Sequence, residues 1–114
     1  MWEVLYADEF ARWLDTLDDD EIDSVLYALN ILAQLGPQLG RPYADTLYDS
    51  TISNLKELRI QHNGKPYRAF YAFDPIRRAI MLCAGDKTGD KRFYQRMVPL
   101  AERIYDEYLK DNEL

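Results

Sequence analysis

Two runs of alternating residues, Leu55-Lys56-Glu57-Leu58-Arg59-Ile60 and Tyr67-Arg68-Ala69-Phe70-Tyr71-Ala72-Phe73, flank the dipeptide Asn63-Gly64. That dipeptide is the strongest short-range signal for a two-residue β-hairpin, because both central positions of such a turn need left-handed backbone. A hairpin symmetric about it sets Arg59 opposite Arg68, Leu58 opposite Ala69 and Glu57 opposite Phe70. Two arginines directly opposed on a sheet repel each other by tenths of a kcal/mol or more. Glu57, a diagonal neighbour of Arg68, relieves part of that. A chain that keeps such a pair is expected to use it. The turn Asp74-Pro75-Ile76-Arg77-Arg78 leads into a third apolar run, Ala79 to Ala84, and then into Gly85-Asp86-Lys87-Thr88-Gly89-Asp90.

The rest of the chain reads as helix around this meander. Trp2 to Tyr6 is a short strand. Asp8 is placed to cap a helix whose face carries Phe10, Trp13, Leu14 and Leu17 at helical spacing. Asp18-Asp19-Asp20-Glu21 opens a second helix, where acids suit the positive end of the dipole, and Gly36-Pro37 ends it. Residues 37–53 are polar and turn-rich and read as a long loop. Asp90 is placed to cap a C-terminal helix that Pro99 kinks or divides. The order β-α-α-β-β-β-α predicts an α+β fold, with helices packed on one face of a small, antiparallel-rich sheet and bases on the other. One domain over residues 1–110 is expected, with 111–114 frayed.

The 114 residues are 47% hydrophobic and 13% aromatic, enough for a core. No run reaches the roughly 18 apolar residues of a membrane span, and Met1-Trp2-Glu3-Val4 does not resemble a secretory leader. The single cysteine, Cys83, lies in an apolar run and reads as a buried core thiol. A cytoplasmic protein is the expectation. The net charge is −6, but it is unevenly placed. Residues 1–23 hold nine acids and one base, a local −8; residues 56–92 hold nine bases and four acids, a local +5. Two different surfaces follow from that polarity.

Common enzyme signals are absent. His62 stands alone in the hairpin loop and reads as a solvated side chain. No Cys-x-x-Cys or His-Glu-x-x-His spacing occurs, so neither a metal nor a cofactor is expected. Gly85 to Gly89 lacks the spacing of a nucleotide-binding loop. What remains is Lys56, Arg59, Arg68, Lys87, Lys91, Arg92 and Tyr94, near the start of the last helix. Arginine forks and lysine charges suit phosphate oxygens. RNA cleavage needs little more, since the substrate's own 2′-OH is the nucleophile and the protein must orient it, stabilise phosphate charge and manage two protons. Lys65, Arg77 and Arg78 read as ordinary turn charges.

Glu57-Leu58-Arg59, then Tyr67-Arg68, then an apolar strand running into Gly85-Asp86-Lys87-Thr88 and a C-terminal helix, resemble the RelE/ParE toxin superfamily. Within it the chain is similar to the HigB-like, phage Gp49-related branch. The resemblance covers most of the chain. It implies the toxin of a type II toxin–antitoxin system, a metal-independent endoribonuclease that cleaves mRNA on the ribosome and inhibits translation. It also implies a helix-turn-helix, HigA-like antitoxin as partner. From the charge pattern, the acidic helices of residues 8–35 are one expected docking surface for it, and an acidic antitoxin segment covering Arg59 and Arg68 is the alternative. By position, Arg59, Arg68, Lys87 and Tyr94 match catalytic residues; Lys56, Lys91 and Arg92, from the basic constellation itself, are the expected RNA contacts. The alternatives are a ParE-like inhibitor of DNA gyrase and a non-catalytic phage-derived binding module.

Overall fold

The computed structural model describes all residues from Met1 to Leu114. Its elements run β1 (Val4–Tyr6), α1 (Asp8–Leu14), α2 (Asp19–Leu35), a 3-10 turn (Gly36–Gln38), β2 (Ala44–Thr46), β3 (Lys56–His62), β4 (Lys65–Phe73), β5 (Ala79–Asp86) and α3 (Phe93–Asp111). The five strands form one open, mixed sheet in the order β1-β5-β4-β3-β2. β1 runs parallel to β5, and the other neighbours are antiparallel. The fold is α+β, as expected.

The hairpin register is the one read from Asn63-Gly64. Arg59 pairs with Arg68, Leu58 with Ala69 and Glu57 with Phe70. Asn63 and Gly64 take φ of 48° and 78°, the double left-handed turn that matches strand twist. A bulge between Phe70 and Tyr71 skips Leu82, since Phe70 pairs with Cys83 and Tyr71 with Met81. Leu82 and Cys83 therefore both face the same layer, and the strand bends there.

One expectation about the layers is corrected. α1 and α2 cover one face of the sheet, where Phe10, Val25, Leu29 and Leu32 pack on Leu58, Ile60, Ala69 and Met81. α3 covers part of the opposite face, where Phe93, Met97, Ala101 and Tyr105 pack on Phe70, Ala72, Ile80 and Leu82. Strand alternation sends successive residues to opposite faces, so a buried meander whose two faces are both apolar needs cover on both. Pro99 sits inside α3 without dividing it, on an exposed position.

Local chemistry departs from the sequence reading at a few more points. Asp18 is the N-cap of α2 and forms a reciprocal box with Glu21: each side chain accepts the other's backbone N–H, at 2.8 and 3.0 Å. Asp8 instead lies in the first turn of α1, behind Ala7. Asp90 is not the cap of α3 either; its carboxylate accepts the Arg92 N–H at 3.0 Å and pairs with Arg96 at 2.9 Å. The segment 37–53 holds a 3-10 turn and the edge strand β2, which supplies the sheet's fifth strand. No helix is long and apolar enough to cross a membrane.

Candidate functional site

The paired arginines sit on the α3 side of the sheet, beyond the part that α3 covers. Across the strands the row reads Arg59, Arg68, Gly85, and the next row reads Glu57, Phe70, Cys83. Gly85 lets the start of α3 close down on this row: a Cβ there would lie 3.1 Å from the Phe93 ring. Phe93 is fully buried, and its neighbour Tyr94 is thereby brought over the sheet, edge to face with Phe70 at 6.0 Å between centroids.

The site has a buried layer and an outer layer. Below lie Glu57 and Arg68, only 6% and 5% exposed. The Arg68 Nε stands 3.6 Å from Glu57 Oε1, and Arg68 Nη1 donates to the Tyr67 carbonyl at 3.0 Å. That Nε has no hydrogen-bond acceptor although it is buried. Above lies Tyr94, half-buried, whose hydroxyl donates to Glu57 Oε1 at 2.5 Å. Burial, then the Glu57 hydrogen bond and charge, push the Tyr94 phenol up to about 12, with Arg68 pulling the other way. The phenol is thus a proton donor at neutral pH, not a base. Lys87 Nζ lies 5.5 Å from the centroid of the Tyr94 ring, a cation–π placement.

Arg59 completes the outer layer from β3. It is half-buried, forms no ion pair, and its backbone N–H donates to the Tyr43 carbonyl at 2.8 Å. Its charge reaches Asp45 on β2, the cross-strand partner of Glu57, whose carboxylate is held below the ordinary range by an Arg41 hydrogen bond and by the charges of Arg41 and Arg59. Charges of both signs therefore share this face: Arg41, Asp45, Glu57 and Arg68.

Arg59, Arg68, Lys87 and Tyr94 are thus gathered on one surface. Lys91 and Arg92 lie beside it, exposed on the turn before α3, and neither forms an ion pair. Lys56 is elsewhere. It alternates with Leu58 and Ile60, toward the α2 face, and its ammonium donates to Thr46 Oγ1 at 2.9 Å. Sequence reasoning passed over Glu57 as a functional residue; its place opposite Phe70 and diagonal to Arg68 was the available signal. His62 is not simply solvated: its Nδ1 meets Ser24 Oγ at 2.7 Å, tying the hairpin tip to α2. No group of three or more histidine, cysteine, aspartate or glutamate side chains is placed to hold a metal ion.

A family model described as "Phage derived protein Gp49-like" matches residues 12–106. The chain belongs to that family. The match spans α2, the arginine hairpin and most of α3, and so contains the whole candidate site. A protein of Mycobacterium tuberculosis named "Putative toxin HigB3" is 41% identical over 107 residues, 93% of this chain and 92% of that one. A second protein of that organism, "Putative toxin HigB2", is 37% identical over 109 residues; this chain spans 54% of its length. The likeness read from Glu57-Leu58-Arg59 and Tyr67-Arg68, to the HigB-like branch of the RelE/ParE superfamily, is thereby established.

Proposed function

We propose that this Gp49-like chain is the toxin of a type II toxin–antitoxin pair, and that it cleaves mRNA on the ribosome in the cytoplasm without a metal or cofactor. The observation that carries the reading is the arrangement of Tyr94. A phenol kept protonated by burial and by Glu57 lies against the Lys87 ammonium, on the sheet face that also carries Arg59 opposite Arg68. The names of the two mycobacterial relatives support a toxin.

In this scheme the 2′-OH attacks the adjacent phosphorus and the bond to O5′ breaks, leaving a 2′,3′-cyclic phosphate and a 5′-hydroxyl. Arg59 and Lys87 neutralise charge on the non-bridging oxygens. Tyr94 gives its proton to the departing O5′, while the 2′-OH proton leaves to solvent. Glu57 and Arg68 are positioning residues: the carboxylate aims the phenol, and the guanidinium offsets the carboxylate. The buried, unpartnered Arg68 Nε is the donor left over to meet an acceptor when substrate binds. Lys91 and Arg92 add charge along the RNA path. Residues 1–110 act as one domain.

A protein partner restrains the toxin. The acidic α2 carries exposed Leu26, Tyr27 and Leu35, an apolar edge beside Asp18, Asp19, Asp20 and Asp23. A helix-turn-helix, HigA-like antitoxin docking there leaves Tyr94 and Lys87 free, while Asp23 and Tyr27 share a cleft with Arg59. Expression without that partner is expected to arrest growth, with translation failing first and primer extension showing new mRNA 5′ ends. Arg59→Gln with Lys87→Gln is expected to abolish both, because neither side chain is needed for the core. Arrest by this variant equal to that of the parent overturns the site. Arrest with intact mRNA and a DNA-damage response overturns the reaction.

A further inference from the structure

A second cationic cleft, of about 430 Å³, lies on the other face of the sheet, walled by Trp2, Phe73, Lys56, Arg77 and Asn54. Its size is within the range of small-ligand sites. Trp2 and Phe73 meet edge to face with centroids 5.7 Å apart, and the Arg77 guanidinium lies 5.1 Å from the centroid of the Trp2 ring. Trp2 cannot withdraw from it. The indole lies so close to Gly36 that a Cβ there would collide with its nitrogen, and the Trp2 backbone N–H donates to the Ala33 carbonyl at 2.7 Å. The indole is therefore clamped between the end of α2 and a guanidinium.

The charge of this cleft runs against that of the chain. Two cations and no carboxylate line it, in a protein of net charge −6. Neither Lys56 nor Arg77 forms an ion pair, although six other arginines do. Lys56 has one neutral acceptor, Thr46. One wall of the cleft is also held in disfavoured backbone, with φ of 67° at Arg77, while Asn54, at 65°, is a residue type that tolerates that region. Strain of this kind in residues other than glycine gathers where side chains must be held toward a ligand. Arg77 and Lys56 come from a turn and a strand that meet only through the fold, which sets the pair apart from an accident of neighbouring residues.

We propose that this cleft binds a backbone phosphate of RNA, from a segment other than the one cleaved beside Tyr94. A guanidinium laid on an indole keeps its edge donors free for phosphate oxygens and its outer face free for a base. Lys56 alternates to the opposite face from Glu57 and Arg59, so the two RNA segments lie on the two sides of the sheet. The proposal rests on the reading of the protein as an RNA-directed toxin, and it gives the displaced Lys56 a role.

The chain has two tryptophans, so Trp13→Phe leaves Trp2 as the one reporter. A short 2′-O-methyl RNA oligonucleotide, which cannot be cleaved, is expected to change Trp2 emission saturably. Lys56→Gln with Arg77→Gln should weaken that binding at least tenfold. It should also flatten the dependence of log K on log salt by about 1.4, since each phosphate that a cation neutralises on a single strand adds roughly 0.7 to that slope. Arg77→Gly relieves the positive φ, so it should fold as stably as the parent and still lose most of the binding. An unchanged emission overturns the proposal, as does wild-type binding by both variants. A response to inorganic phosphate or to polyglutamate without one to the oligonucleotide also overturns it. Cleavage of mRNA is read separately: its loss in the parent, with Trp2 binding intact, counts against the proposed reaction and not against this cleft.

Discussion

A carboxylate, an arginine and a tyrosine meet twice in this protein, and they do so differently. At the β4–β5 turn, the buried Asp74 accepts the Ile76 and Arg78 backbone N–H groups at 3.1 and 2.9 Å, Arg78 Nε at 2.9 Å and the Tyr108 hydroxyl at 2.7 Å. Arg78 Nη2 closes the ring by donating to Tyr108 at 2.9 Å. At the candidate site, Glu57 accepts one short bond from Tyr94, while Arg68 Nε stands off at 3.6 Å without an acceptor. The first cluster is saturated and ties turn, strand and helix together. The second leaves a buried donor open. A saturated cluster has nothing left to offer a substrate; an unsaturated one holds desolvation cost that a ligand can relieve. That difference, more than residue type, separates a structural triad from a functional one.

The largest effect that would test the comparison is at Asp74. Asp74→Ala strips four donors of their buried acceptor, and leaving buried hydrogen-bonding groups unsatisfied in this way costs about 1–3 kcal/mol. Urea unfolding should show a loss of that order, while mRNA cleavage by the folded fraction stays near the parent rate. A loss within about 1 kcal/mol would mean that the two clusters are alike. Next is Tyr94→Phe. Deleting a proton donor is expected to lower the cleavage rate about 10²-fold or more, with stability changed by about 1 kcal/mol. The matching Tyr108→Phe should change stability by a similar amount and leave cleavage alone. Equal activity in the two variants would erase the distinction.

The sequence carried much of the fold and less of the site. Asn63-Gly64 fixed the hairpin register because turn chemistry is local, and Arg59 therefore stood correctly opposite Arg68. The helix start at Asp18 to Glu21 and the stop at Gly36 were legible for the same reason. The position of α3 was not. Whether a helix lies on one face of a sheet or the other depends on which strand residues it covers, and the bulge at Leu82 changes that count. β2 was hidden because three residues without apolar alternation give no period to detect. Lys56 was misplaced by treating nearby bases as one patch, when alternation along β3 divides Lys56 from Glu57 and Arg59. Glu57 was seen only as relief for Arg68; its bond to Tyr94 joins residues 37 apart in sequence and has no local signature.

The smallest expected effects are in pH. Burial alone would raise the Asp74 carboxyl, but hydrogen bonds from the Arg78 backbone, Tyr108 and the Arg78 side chain outweigh it and hold it below the ordinary range. The folded protein thus binds fewer protons there than the unfolded chain. Its contribution to stability is full above the unfolded value of about 3.9 and is lost as pH falls through the folded one. The tyrosines work at the other end. Tyr94 and Tyr108 are both pushed up to about 12, by burial first and then by their carboxylate partners. Their contributions are full below the unfolded value of about 10 and fade as pH rises toward 12. Tyr94→Phe and Tyr108→Phe should each make the alkaline decline shallower. Asp74→Ala should do the same on the acid side, because its carboxyl is drawn downward. An acid limb left unchanged by Asp74→Ala would mean that the carboxylate at the β4–β5 turn is not held by its donors, and would remove the contrast between the two clusters.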